Sequence, residues 1–148
     1  MIVIQSEPLD TQAAQARLMA NPQAGAVVSF HGLMRDHNDG QAVSQLTLEH
    51  YPGMTEKALA AIIAEAQNRW ALYAVEVQHR VGPMQPSDII VYVGVSSAHR
   101  QEAFAACDFI MDYLKTRAPF WKKEVAPSGS SWLDGRESDQ DALRRWQD

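Results

Sequence analysis

The sequence is poor in cysteine, and Cys107 is the only thiol among its 148 residues. A single cysteine excludes an intrachain disulfide and any cysteine-rich metal site. Cys107 lies among apolar residues of a predicted helix, which favours a buried, unreactive thiol over a nucleophile.

Long apolar runs are also missing, since no 18 consecutive apolar residues occur and no basic leader precedes an apolar stretch. We therefore expect no membrane span and no secretory signal, and we predict a cytoplasmic protein. With 46% hydrophobic residues, the chain can form one domain over 1–148. Its acidic pI of about 5.5 argues against a nucleic-acid partner.

Several sequence motifs of metal and nucleotide sites are absent. The five histidines show no zinc spacing and no HExxH, and GxSxG, Walker and GxGxxG motifs do not occur. The loop 36–40 superficially resembles a calcium loop, but Thr47 stands at its twelfth position instead of glutamate. We predict no metal site and no bound cofactor.

Hydrophobic periodicity predicts alternating strands and helices, hence an α/β (α+β) fold. The predicted strands cover 2–5, 26–34, 43–50, 89–95 and 120–125, and the predicted helices cover 10–20, 54–70, 98–117 and about 138–146. Asp10 and Ser97 are expected to cap two of these helices. The strands 26–34 and 43–50 are expected to form a hairpin whose polar tip is 35–40.

Cations are concentrated near the end of the long predicted helix. Lys115, Arg117, Lys122 and Lys123 fall within nine residues that contain no carboxylate, although the whole chain carries a net charge of −5. Two ammonium groups ~6 Å apart repel by about 3 kcal/mol, so such a pair favours a bound anion or the loss of a proton. The alternative is that Lys115 and Arg117 complement the dipole at the helix end.

Two further places carry cations. His99 and Arg100 are predicted in the first turn of the long helix, where free backbone amides favour an anion. Arg35 and His37 lie on the predicted hairpin tip, and the neighbouring Asp36 makes a solvated loop an equal alternative.

Four segments together resemble the large, catalytic subunit of molybdopterin synthase over nearly the whole chain. They are LTLEHYPGMTEKAL at 46–59, VGVSSAHR at 93–100, FIMDYLKTRAPFWKKE at 109–124 and RESD at 136–139. This resemblance implies an α/β hammerhead-type fold with an additional β-rich subdomain. It also implies a sulfurtransferase that converts cyclic pyranopterin monophosphate to molybdopterin by inserting two dithiolene sulfurs.

The same resemblance implies the protein partners. Sulfur would arrive as the C-terminal glycine thiocarboxylate of a small ubiquitin-like sulfur-carrier subunit, and the chain would form a homodimer and, with two small subunits, a heterotetramer. Lys115 and Lys122 match the catalytic lysines of the family, and the matching substrate-binding residues are Arg35, His99, Arg100 and Arg136.

The sequence departs from the family pattern at Asp36, where an uncharged polar residue is expected, and at Ser87, which replaces a turn glycine. Two other functions remain open at this stage. One is a non-catalytic adaptor that binds a ubiquitin-like tail, with Phe120 and Trp121 as anchors. The other is a phosphate-binding enzyme that acts on a different heterocycle and needs no protein partner.

Overall fold

Strands and helices alternate along most of the chain. The computed structural model describes residues 1–38, 40–126, 129–133 and 137–147. Within those residues the strands are β1 (Ile2–Gln5), β2 (Ala26–Leu33), β3 (His37–Asn38), β4 (Gln41–Ala42), β5 (Gln45–His50), β6 (Leu72–Arg80), β7 (Gly82–Met84), β8 (Ile89–Ser97), β9 (Phe120–Ala126) and β10 (Gly129–Leu133). The helices are α1 (Thr11–Met19), α2 (Met54–Arg69), α3 (Arg100–Arg117) and α4 (Glu137–Leu143), and a 3₁₀ turn follows at Arg144–Trp146.

The first sheet has the strand order β1-β6-β8-β2. β1 runs parallel to β6, whereas β8 is antiparallel to both β6 and β2. Because side chains alternate across a strand, Val75, Val77 and Val93 point to the face that packs against α2 and α3. Tyr92 points to the other face, where it packs against Leu18 of α1.

The second sheet is antiparallel throughout and has the strand order β10-β9-β5-β7. Its inner face carries Leu46, Leu48 and Met84, which form a separate small core with Met34 and Val43. Ile90 of β8 packs against that core, so the two sheets meet near the start of β8.

The predicted hairpin between 26–34 and 43–50 is wrong. β2 pairs with β8 in the first sheet, whereas β5 pairs with β7 and β9 in the second. Instead, the segment after β2 forms the small pair β3-β4, which links the two sheets. Sequence proximity favoured a local pairing, but both strands pair with partners that are distant in sequence, which local signals do not specify.

One predicted helix cap is confirmed and the other is wrong. The Asp10 carboxylate accepts a hydrogen bond from the Ala13 amide at 3.0 Å, as expected for an N-cap. Ser97 instead ends β8, and its hydroxyl donates to the Ala71 carbonyl at 2.9 Å. α3 therefore begins at Arg100, with His99 as its N-cap.

The mixed α/β fold class predicted from periodicity is confirmed, and the second sheet corresponds to the β-rich subdomain that the family resemblance implied. Among the described residues, no helix has the length and apolarity needed to cross a membrane.

Candidate active site

A cavity of about 510 Å³ opens where the two sheets and the end of α3 meet. Its size suits a small-molecule ligand. The apolar part of its wall includes Met34, Leu46, Ile90, Val91, Leu114 and Phe120. Its ionisable lining residues are Arg35, His37, His79, Lys115, Lys122, Glu124 and Asp139.

The alternation of β9 decides which of its two lysines reaches the cavity. Phe120, Lys122 and Glu124 share one face of the strand and line the cavity. Lys123 points to the opposite face, where its ammonium lies 5.9 Å from the centre of the Trp132 ring. Only one lysine of the adjacent pair is therefore placed at the candidate site.

The end of α3 separates its two cations in the same way. Lys115 is solvent-accessible and lines the cavity. Arg117 turns away and lies 4.1 Å above the Tyr113 ring, with Glu65 of α2 at 3.6 Å. Arg117 therefore helps to join α3 to α2, and the basic segment contributes Lys115 and Lys122 to the cavity.

Arg35 reaches the cavity from the segment that follows β2. The backbone beside it is fixed to the residue that precedes β8, because the Met34 amide donates to the Asp88 carbonyl at 2.9 Å. The Asp36 carboxylate lies 2.6 Å from Nδ1 of His37. The structure thus brings Arg35, Lys115 and Lys122 together from three distant parts of the sequence.

His99 and Arg100 do not line this cavity. They are exposed at the start of α3, whereas Lys115 is near its end. Arg100 and Lys115 are fifteen positions apart in the helix, which corresponds to about 22 Å along the axis. A single chain therefore does not unite these residues, and their substrate-binding role stays a prediction. Arg136 lies outside the described residues.

His79 is a cavity residue that the sequence did not single out. Its ring stacks on Phe120, with ring centres 3.8 Å apart and planes 15° from parallel. The pKa of His79 is lowered to about 4, mainly by burial and to a smaller extent by the charges of Lys115 and Lys122, against the opposing hydrogen bond to the Arg80 carbonyl. One feature of the sequence could have identified His79: it alternates with Val75 and Val77, so it lies on the same face of β6.

Cys107 is buried and lies outside the lining of this cavity. Its sulfur donates to the Val93 carbonyl at 3.7 Å, and burial raises the pKa of its thiol to about 12. The prediction of a buried thiol is confirmed. Among the residues that the structure describes, no group of three or more histidine, cysteine, aspartate or glutamate residues could hold a metal ion.

The fold and the site define a class: a mixed α/β protein with a cationic small-molecule cavity between two sheets. Comparison with known proteins identifies the family within this class. Residues 4–117 match the family model described as MoaE protein. The molybdopterin synthase catalytic subunit of Escherichia coli is 57% identical over 145 residues, covering 98% of this chain and 97% of the relative.

Solved structures agree with that comparison. The molybdopterin biosynthesis MoaE protein from Burkholderia ambifaria has a TM-score of 0.85 and 51% identity, over 99% of this chain and 97% of its own. Molybdopterin synthase from Staphylococcus aureus has a TM-score of 0.83 and 38% identity, over 90% and 95% respectively. The chain belongs to the MoaE family, the catalytic subunits of molybdopterin synthase.

Proposed function

We propose that this chain converts cyclic pyranopterin monophosphate to molybdopterin, taking both dithiolene sulfurs from the thiocarboxylate of a small ubiquitin-like partner. The observation that carries the proposal is the cavity with Arg35, Lys115 and Lys122 in its lining. Phosphate and thiocarboxylate are both anions, and a site with preplaced cations stabilises them and the negative charge that develops during transfer.

The source of sulfur is the second part of the proposal. The sequence has one cysteine, and Cys107 is buried away from the cavity with a raised pKa. A thiolate is the reactive form of cysteine, so this residue is poorly suited to deliver sulfur. A sulfur-carrier partner removes the need for a cysteine at the site.

The proposed chemistry has two repeats of one sequence. The thiocarboxylate sulfur attacks an oxygen-bearing side-chain carbon of the substrate, and the carbon–sulfur bond forms as the carbon–oxygen bond breaks. The oxygen leaves with a proton supplied by Lys115, and the partner stays acyl-linked to the substrate through the sulfur. Water then cleaves the bond between the acyl carbon and sulfur, so the partner leaves as a carboxylate. A second loaded partner delivers the second sulfur.

Lys115 is the residue that we assign to acid/base catalysis, with Lys122 beside the thiocarboxylate and Arg35 toward the phosphate. Holding both reactants in one cavity supplies much of the acceleration by fixing their geometry. His99, Arg100 and Arg136 remain predicted substrate-binding residues. Because His99 and Arg100 lie far from Lys115, they can contribute only to the cavity of a second copy in the proposed homodimer.

The proposed assembly is a homodimer that binds one small subunit per copy, giving a heterotetramer. We also propose that the protein is located in the cytoplasm. The shape of the cavity does not depend on the assembly or on the location. The proposed function does require that turnover depend on the small subunit.

The proposal is tested by mixing this protein with cyclic pyranopterin monophosphate and thiocarboxylated small subunit, and measuring molybdopterin. We expect product from the unmodified protein and none above background from Lys115→Ala, because the variant lacks the proton-transfer group. Binding of the small subunit, measured by calorimetry, should change less than threefold.

Lys123→Ala is the matched control, since it removes the neighbouring cation on the opposite face of β9. Its turnover should stay within about twofold of the unmodified protein. Near-normal turnover by Lys115→Ala would remove that lysine from the mechanism. Tight partner binding without any product from the unmodified protein would instead favour the non-catalytic adaptor.

A further inference from the structure

His79 is a buried titratable side chain that the proposed chemistry does not use. It lies near the end of β6, only 5% exposed, and lines the cavity that also holds Lys115 and Lys122. A buried polar side chain normally has hydrogen-bond partners, because burying a polar atom without one costs free energy.

One nitrogen of the ring has a fixed role. Nδ1 lies 2.9 Å from the Arg80 carbonyl oxygen, which can only accept, so Nδ1 carries the proton and donates. The stack on Phe120 restrains the plane of the ring. Tautomer and orientation are therefore set by the protein before a ligand binds.

The other nitrogen is left as an acceptor. Since the lowered pKa keeps the ring neutral at pH 7, Nε2 carries a lone pair and no proton. Among the described residues, Nε2 has no hydrogen-bond partner. Because His79 lines the cavity, a ligand bound there can supply a partner for Nε2.

A neutral acceptor complements the cations of this cavity, and it differs from the carboxylates of Glu124 and Asp139, which also line it. Lys115, Lys122 and Arg35 only donate hydrogen bonds and suit the anionic parts of a ligand. The pterin ring system of the proposed substrate also carries uncharged N–H donors, which these cations cannot recognise. An imidazole nitrogen with a lone pair accepts such a donor without adding negative charge near the phosphate.

We propose that His79 is a substrate-positioning residue whose Nε2 accepts a hydrogen bond from an N–H group of the heterocycle. The proposal rests on the proposed function, and it adds a residue that recognises the uncharged part of the substrate. When a buried site pairs an acceptor with a donor of the ligand, removing either group leaves the other without a partner and weakens binding strongly.

Two substitutions separate this role from a structural one. In His79→Asn the side-chain amide can still donate to the Arg80 carbonyl, but no acceptor reaches the position of Nε2. In His79→Gln the longer side chain can place its carbonyl oxygen there. Both variants lose the stack on Phe120, and only His79→Gln can restore an acceptor at the position of Nε2.

We expect His79→Asn to raise KM for the pterin substrate about tenfold and to change kcat much less. His79→Gln should recover at least half of that increase in KM on a logarithmic scale. Calorimetric binding of cyclic pyranopterin monophosphate to the same proteins should show the same order. His50→Asn is the control, because His50 does not line the cavity and pairs with Glu56 at 3.6 Å. Its KM should stay within twofold.

The inference is overturned if His79→Asn binds the substrate within twofold of the unmodified protein. Equal losses in the Asn and Gln variants, with matching falls in melting temperature, also overturn it, since they show a packing role only. If the unmodified protein makes no molybdopterin, the proposed function fails, whereas the binding series still decides whether His79 contacts the pterin.

Discussion

At the scale of single residues, chemically similar side chains in the basic segment have different environments. Lys122 and Lys123 are adjacent, yet only Lys122 faces the cavity, and Lys123 lies near Trp132. Arg117 packs on Tyr113. Cation density in the sequence indicated the segment that supplies Lys115 and Lys122 to the cavity, but it could not rank the cations, because strand and helix geometry determine where each one points.

His79 gives a residue-scale prediction for stability against pH. Its pKa is about 4 in the folded protein, and the ordinary value of 6.5 applies after unfolding. Above pH 6.5 both states are neutral. Between 6.5 and 4 only the unfolded state takes up the proton, so the free energy of unfolding falls with falling pH, by about 3 kcal/mol in total.

The measurement is urea unfolding from pH 7 to pH 4.5, with His79→Phe alongside. Phenylalanine keeps an aromatic ring against Phe120 and cannot titrate. The stability of the unmodified protein should decline more steeply than that of the variant across this range. Parallel curves would show that the pKa of His79 is the same in the folded and unfolded states.

At the scale of elements, a buried hydroxyl fixes the turn that separates the two proposed catalytic lysines. Thr55, at the start of α2, is completely buried. Its hydroxyl accepts from the Tyr51 amide at 2.9 Å and donates to the Pro119 carbonyl at 3.0 Å. Pro119 lies between α3 and β9, so this contact helps to fix the spacing between Lys115 and Lys122.

We predict that Thr55→Val lowers the free energy of unfolding by about 2–3 kcal/mol. Valine has the same shape, but it leaves the Tyr51 amide and the Pro119 carbonyl without this partner. Thr55→Ser keeps the hydroxyl and should cost only about 1 kcal/mol for the lost methyl group. Urea unfolding of both variants tests this, and equal losses would mean that the methyl group matters more than the hydrogen bonds.

At the scale of the whole molecule, the C-terminal segment connects the core to the cavity. Trp146 lies 5.4 Å from Phe109 and 5.7 Å from Trp70, measured between ring centres, and its indole nitrogen donates to Asp112. α4, just before it, contributes Ser138 and Asp139 to the cavity lining. Packing of the tail against α3 therefore also positions part of the site.

Trp146→Ala should lower the free energy of unfolding by about 3 kcal/mol, because it removes a large ring from an aromatic cluster. Trp146→Phe keeps a ring and loses only the hydrogen bond to Asp112. Because Arg145 also contacts Asp112 at 2.6 Å, the free energy of unfolding should fall by about 1 kcal/mol. Chemical denaturation gives both values. A loss below 1 kcal/mol for the alanine variant would indicate that the tail does not stabilise the fold.

Much of the fold was predictable from local signals, and the errors have a common cause. Alternation and periodicity predicted α2, β8 and β9 to within a few residues, and Asp10 was correctly expected to cap α1. The hairpin and the Ser97 cap were wrong. Both depended on which distant strand or carbonyl would become the partner, and local sequence does not encode that choice.

By itself, the sequence determined the fold class, the family and the cation-rich segment, because periodicity, composition and near-verbatim segments are properties of the chain alone. Only the tertiary structure decided that Lys115, Lys122 and Arg35 share a cavity while His99 and Arg100 lie at the other end of α3. It also placed His79 in the lining of the same cavity. Those outcomes depend on which strands pair and which faces become buried, and burial by distant segments is what sets the charge and contacts of each side chain.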